Sequence, residues 1–140
     1  MGYYIRFLLE DDRPLSLEGV TAGLRAADPC FALTGNGDLA RDGELITQLD
    51  ISLPGSGVFE DDIDLFREQA ASAGGAGVAA RLGSVTAILA ARVLRQSRTA
   101  EETLDPLGPL WDWLTASKRG LVHADGEGFY DRSELILQTG

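Results

Sequence analysis

Residues 85–94, Val-Thr-Ala-Ile-Leu-Ala-Ala-Arg-Val-Leu, form the longest nearly uncharged apolar stretch of the chain, interrupted only by Arg92. Such a run becomes either a strand buried on both faces or a segment of a core helix, and periodicity alone does not separate the two. Its alanines favour a helix. However, a helix here would be apolar nearly all round, and Gly83 separates the run from the preceding segment. We therefore predict that residues 85–94 form the central strand of a sheet.

The segments before this stretch predict further strands and a first helix. Tyr3–Leu9 is rich in aromatic and β-branched residues, which is typical of a strand. Ser16 is a good N-cap for a helix over Leu17–Ala27. Residues 44–53 alternate between apolar and polar side chains, which predicts a strand with one face in the core and the other in water or against a partner. The short apolar run at residues 31–34 predicts a strand that pairs with it as an antiparallel hairpin.

Two more helix starts and a late strand complete the predicted order. The acidic run at residues 60–64 predicts the start of a second helix, because negative charge is favourable at a helix N-terminus. Thr99 and Glu102 form a capping box that predicts a third helix. Residues 121–124 predict a further strand, and the last extended pieces are predicted at residues 129–130 and 135–137. The order β-α-β-β-α-β, then α-β, predicts one α+β domain over residues 1–140. It matches a ferredoxin-like antiparallel sheet with helices on one face, plus a C-terminal α-β extension.

The charge of the chain restricts its partners. The sequence has 22 acidic and 12 basic residues, a net charge of −10, and its first 70 residues account for −9 of it. An acidic surface repels phosphate backbones, so nucleic-acid binding is not predicted. No apolar window approaches the ~20 residues of a membrane span, so no membrane partner is predicted either. A basic protein partner is compatible with this charge, and high solubility is the simpler interpretation.

Cys30 is the only cysteine of the chain. It cannot form an internal disulfide, which suits a reducing cytoplasm. The first residues run directly into strand-like sequence without a basic region or a cleavage site, so no secretory signal is predicted. Cys30 lies between Pro29 and Phe31 near an apolar strand. We therefore expect a small buried residue rather than a reactive nucleophile.

The C-terminal segment holds the densest group of residues capable of acid–base chemistry. Its histidine is the only one in the chain, which makes a metal site or a nucleophilic triad a poor interpretation. The nearby acids lie in a glycine-containing loop without the spacing of a calcium loop, so a hairpin turn is preferred. The weak catalytic candidates are His123, Asp125, Glu127 and Asp131.

No cofactor or metal ion is predicted. Residues 73–77 are rich in glycine but follow a helix and lack the Gly-Lys-Ser/Thr of a phosphate loop, so a flexible connection is predicted. The carboxylates at residues 60–64 would splay around a helix axis rather than converge on a cation.

An aromatic and a basic group are the candidates for partner binding. Trp111 belongs to the apolar core stripe of its predicted helix, and Trp113 lies on a different side of that helix. The position of Trp113 is typical of either a core-edge residue or an interface anchor. The arginines near the end of the central strand would either meet an anionic ligand or balance the acidic half. The predicted partner-binding residues are Trp113, Arg92, Arg95 and Tyr130.

Three functions are compatible with these features. The leading hypothesis is a non-catalytic cytoplasmic interaction domain that self-associates, because a sheet with helices on one face leaves its other face to be covered. An alternative is an acidic inhibitor- or immunity-type protein that masks a basic partner. A second alternative is a small enzyme that uses His123 and nearby carboxylates as acid and base.

Overall fold

The computed structural model describes residues 3–10, 16–34, 36–93, 108–131 and 134–139, which form eight strands and four helices. The strands are β1 (Tyr3–Leu9), β2 (Phe31–Leu33), β3 (Asp38–Arg41), β4 (Glu44–Ser52), β5 (Ala87–Val93), β6 (Gly120–Ala124), β7 (Gly128–Asp131) and β8 (Glu134–Gln138). The helices are α1 (Leu17–Ala27), α2 (Val58–Ser72), α3 (Ala76–Leu82) and α4 (Gly108–Ser117). The α+β class is therefore confirmed.

The eight strands form one antiparallel sheet in the order β2-β3-β4-β5-β1-β6-β7-β8. β5 pairs with β4 on one side and with β1 on the other. Ile88, Leu89 and Ala91 are buried, so this strand is covered on both faces. The predicted central strand at residues 85–94 is thus confirmed over Ala87–Val93.

Helices cover both faces of the sheet. Phe7 of β1 packs in a hydrophobic cluster with Leu24 of α1 and Leu114 of α4. Its neighbour Leu8 points to the opposite face and packs with Phe66 of α2. The prediction of helices on one face is therefore wrong. A strand that is apolar over most of its length, as β5 is over residues 87–91, requires cover on both of its faces there.

A strand that was not predicted separates the two strands of the expected hairpin. β2 pairs with β3, and β3 pairs with β4, so the predicted direct pairing of residues 31–34 with 44–53 is wrong. The turn between β3 and β4 has positive φ at Asp42 and Gly43, as a two-residue hairpin turn requires. β3 has four residues, which is too short for an alternating pattern to stand out.

The helices follow their sequence signals in part. The Ser16 hydroxyl accepts a hydrogen bond from the N–H of Gly19 at 3.1 Å, which confirms the predicted N-cap of α1. The capping box at Thr99 and Glu102 lies outside the described residues. Residues 76 and 77 begin α3, so the expected flexible connection is wrong there. None of the described helices is long and apolar enough to cross a membrane.

Three strands follow α4: β6 covers the strand predicted at residues 121–124, and β7 and β8 cover the extended pieces predicted at residues 129–130 and 135–137. β6 pairs with β1, and β7 and β8 extend the sheet beyond it. β3 adds a further strand on the β2 side of the sheet, so the sheet is larger than a ferredoxin-like one. The predicted ferredoxin-like βαββαβ arrangement is therefore not confirmed. All eight strands belong to the same sheet, which is compatible with the predicted single domain.

Candidate functional site

His123 lies on β6, opposite Arg6 of β1, and is only 3% exposed. Its ring packs against Phe66 and Phe129, with centroids 4.4 and 4.8 Å away. Nδ1 is 3.8 Å from Oδ1 of Asp125, too far for a hydrogen bond, and has no partner among the described residues. Burial lowers the pKa of His123 to about 4. A neutral imidazole in a packed core is not presented to a substrate.

Asp125 is held by the first strand. Its carboxylate accepts hydrogen bonds from the Tyr4 N–H at 3.0 Å and from Nη1 of Arg6 at 3.1 Å. The Arg6 guanidinium also lies 4.9 Å from the Tyr4 ring centroid and 5.3 Å from that of Phe66. Asp62 of α2 is 4.0 Å from Nε of Arg6, and burial raises the pKa of this aspartate. These charges join β1 to α2 and to the turn after β6.

The other two catalytic candidates lie apart from His123. Asp131 accepts a hydrogen bond from Arg81 at 3.0 Å. Glu127 accepts one from the Tyr130 hydroxyl at 2.8 Å, and this bond raises the pKa of Tyr130. The four candidates therefore do not meet in one cavity. Within the described ranges, no three His, Cys, Asp or Glu side chains are grouped to hold a metal ion.

A groove lined by aromatic rings and carboxylates lies between α4 and strands β1, β6 and β7, on the face of the sheet opposite His123. We call it the Trp111–Tyr130 groove; its volume is about 320 Å³. Apolar side chains of β1 and β6 form its floor, and two aromatic rings and two exposed carboxylates complete it. It is lined by Ile5, Trp111, Asp112, Thr115, Val122, Ala124, Glu127 and Tyr130.

The charged side chains that line the groove are all negative. Asp112 and Glu127 are exposed at its surface, and its lining includes no lysine or arginine. Trp111 and Tyr130 present aromatic surface beside these carboxylates. Aromatic faces and carboxylates both attract cations, while the apolar floor suits an alkyl chain. The groove therefore fits a ligand with an aliphatic stem and a positive end.

The predicted partner-binding residues do not form one surface. Tyr130 lines the groove, whereas Trp113 is partly buried against α1, where Gly23 leaves room for its indole. Arg92 is exposed on the other face of the sheet, in a cavity of about 310 Å³ that also includes Tyr4 and Asp50. Arg95 lies outside the described residues.

Sequence reasoning missed the α4 side of the groove. Trp111 was assigned to the apolar core stripe, and Asp112 and Thr115 were not singled out. Trp111 and Thr115 are four residues apart and share one side of the helix, where the Thr115 hydroxyl donates to the Trp111 carbonyl at 2.8 Å. A tryptophan followed directly by an aspartate and, four residues on, by a threonine was the available signal for a boundary position.

No model of a known protein family matches this chain, and comparisons with curated proteins and with solved structures also found no significant match. The function proposed below therefore rests on the geometry and charge of the chain itself.

Proposed function

We propose that this chain is a non-catalytic interaction domain that binds a basic protein partner, and that the Trp111–Tyr130 groove receives a lysine or arginine side chain of that partner. The observation that carries the proposal is the pairing of an apolar, aromatic-walled groove with two exposed carboxylates and no base in its lining. This function corresponds to the acidic inhibitor- or immunity-type alternative, in which the chain masks a basic partner.

The chemistry of the groove suits a long basic side chain. Its methylene stem would cover Ile5 and Val122, and its charged end would reach Glu127 or Asp112. A charge-assisted hydrogen bond contributes about 1.5–3 kcal/mol, and a cation over an aromatic ring adds about 0.5–1 kcal/mol at an exposed site. A second copy of this chain is a poor partner for this site, because each copy carries a net charge of −10.

The overall charge supports the same proposal through association kinetics. A strongly acidic protein attracts a basic partner over a distance of about one Debye length, roughly 8–10 Å near physiological salt. Binding should therefore weaken as salt increases.

The predicted cytoplasmic location, which rests on the solitary cysteine, stays a prediction.

The buried, neutral His123 gives the small-enzyme alternative no geometric support, because an acid–base catalyst must reach the proton that it transfers.

A charge-matched pair of variants tests the groove. Asp112→Asn/Glu127→Gln and Asp61→Asn/Asp64→Asn each remove two exposed carboxylates, but Asp61 and Asp64 lie on α2 at the other face. The probe is an arginine-rich peptide, titrated at low salt and followed by calorimetry. We expect the groove variant to bind about tenfold more weakly, a loss of about 1.4 kcal/mol, and the α2 variant to change little.

Equal weakening in both variants would mean that net charge alone attracts the peptide. The absence of any salt-sensitive binding to the unmodified chain would also contradict the proposed function.

A further inference from the structure

The Trp111–Tyr130 groove contains a carboxylate that is bonded to one of its aromatic side chains. The Tyr130 hydroxyl donates to Oε1 of Glu127 at 2.8 Å, and both side chains line the groove. This bond holds the carboxylate at the hydroxyl end of the ring, where it does not cover the face of the ring. A ligand in the groove therefore meets an aromatic ring and a negative charge at adjacent positions.

The polar side chains of the groove offer mainly hydrogen-bond acceptors. The Thr115 hydroxyl donates to the Trp111 carbonyl at 2.8 Å. The Tyr130 hydroxyl donates to Glu127, so each of these two hydroxyls has only lone pairs left for a ligand. Ionised Asp112 and Glu127 accept hydrogen bonds and cannot donate them. These side chains therefore favour a ligand that carries several N–H donors.

An arginine side chain meets these conditions better than a lysine side chain. A guanidinium carries five N–H donors in one plane, whereas an ammonium carries three around a point charge. The flat guanidinium stacks on aromatic rings and also binds carboxylates through two parallel hydrogen bonds. It is more weakly hydrated than an ammonium, so it loses less hydration in a groove with an apolar floor and aromatic walls.

We propose that the Trp111–Tyr130 groove selects arginine over lysine, with the guanidinium against the Tyr130 ring and bonded to the adjacent Glu127 carboxylate. This inference rests on the proposed function, because it names which of the two basic side chains the groove receives. The methylene stem of either side chain would cover Ile5 and Val122. The preference therefore arises from the charged end of the ligand.

Calorimetry with two peptides of equal length and charge tests the preference. One is the arginine-rich peptide that tests the proposed function, and the other has lysine at every arginine position. We expect the unmodified chain to bind the arginine peptide about tenfold more tightly, which corresponds to about 1.4 kcal/mol. Tyr130→Phe keeps the ring but releases the Glu127 carboxylate, so this ratio should decrease to about threefold.

Tyr4→Phe is the matched control for the loss of a phenol hydroxyl. Tyr4 lines the cavity that contains Arg92, on the other face of the sheet. The preference for the arginine peptide should therefore be the same in Tyr4→Phe as in the unmodified chain. Glu127→Gln changes the same contact as Tyr130→Phe from its other partner, and it should lower the ratio as well.

The outcomes distinguish this inference from the proposed function. Equal binding of the two peptides to the unmodified chain would overturn the selection of arginine, whereas weaker binding by Asp112→Asn/Glu127→Gln would still support the proposed function. A ratio that persists in both Tyr130→Phe and Glu127→Gln would also overturn the selection, because the preference would then arise from the acidic surface as a whole. Failure of both peptides to bind would contradict the proposed function and this inference together.

Discussion

At the scale of single residues, His123 shows how packing decides protonation. Its imidazole lies against two phenylalanine rings, and burial is the main cause of the lowered pKa. The Asp125 carboxylate favours the charged imidazole, whereas the loss of hydration and the Arg6 guanidinium both favour the neutral one. The loss of hydration is the largest of the three effects. The residue that the sequence suggested as an acid–base catalyst therefore serves as an aromatic core residue.

The buried histidine predicts a pH dependence of stability. Its pKa is about 4 in the folded chain and about 6.5 in the unfolded chain, so the unfolded state binds the proton first as pH falls. Stability should therefore be full above pH 6.5 and should decrease towards pH 4, by at most about 1.4 kcal/mol per pH unit. His123→Phe keeps a ring between Phe66 and Phe129 and should remove this part of the slope.

The measurement is urea unfolding of both proteins at several pH values in that window. Carboxylates such as Asp62 also titrate in the native chain, so the difference between the two slopes is the relevant quantity. Identical slopes for the two proteins would show that His123 does not titrate as described.

Cys30 is exposed rather than buried, so the expectation of a small core residue is wrong. The buried apolar residue at this point of the chain is the neighbouring Phe31. Asp42 and Asp28 lie beside the thiol and raise the pKa of Cys30 to about 11. A thiol that stays protonated is a poor nucleophile even when it is accessible.

This environment predicts slow alkylation of Cys30. At mildly alkaline pH, iodoacetamide should react at least tenfold more slowly with the folded chain than with the urea-unfolded chain. Asp42→Asn should accelerate the reaction of the folded chain, and asparagine tolerates the positive φ of 54° at this position. A folded chain that reacts as fast as the unfolded one would contradict this role of Asp42.

At the scale of elements, the packing of α1 on α4 depends on one missing side chain. A Cβ at Gly23 would overlap the indole of Trp113, so only glycine allows the two helices to approach as they do. A glycine inside a helix is compatible with the close approach of another element. Which element approaches it depends on the tertiary arrangement, and the local sequence does not contain that information.

Two glycine substitutions in helices separate this contact from helix propensity. Gly23→Ala should lower the free energy of unfolding by about 1–3 kcal/mol, because the core must shift to accommodate the methyl group. Gly77→Ala in α3 meets no atom within 4 Å and should be neutral or stabilising by up to about 1 kcal/mol. Urea unfolding measures both, and a stabilised Gly23→Ala chain would exclude the proposed contact.

Elements with strong local signals were predictable, and those defined by long-range contacts were not. The β5 strand follows from its apolar run, and α1 follows from Ser16 and its apolar stripe. β3 and α3 are short, so their patterns did not stand out from the turn residues around them. The groove could not be predicted, because it brings together α4 with strands from both ends of the chain.

At the scale of the whole molecule, a group of ion pairs around Arg81 connects α3 to the sheet. Arg81 of α3 donates to Glu10, which follows β1, at 2.5 Å from Nη2, and to Asp131 of β7 at 3.0 Å from Nη1. The Glu10 side chain is only 6% exposed, whereas that of Asp131 is 44% exposed. The bond to Glu10 should therefore matter more, because a buried carboxylate without its cation is costly.

This asymmetry predicts the outcome of removing each partner. Arg81→Leu should lower the free energy of unfolding by about 2–4 kcal/mol, because it leaves the buried Glu10 carboxylate uncompensated. Adding Glu10→Gln to that variant should recover part of the loss, since a neutral amide is cheaper to bury than a charge. Asp131→Asn should cost less than about 1 kcal/mol, as expected for an exposed ion pair.

Arg67→Leu provides the control, because Arg67 is exposed on α2 and its loss should change stability by less than about 0.5 kcal/mol. Unfolding by urea, analysed as a double-mutant cycle for Glu10 and Arg81, gives the coupling energy directly. A coupling near zero would mean that α3 is held to the sheet by Val78 and Leu82 alone. A coupling of more than about 1 kcal/mol would show that the polar contact and the apolar contacts hold this helix together, which local sequence signals could not reveal.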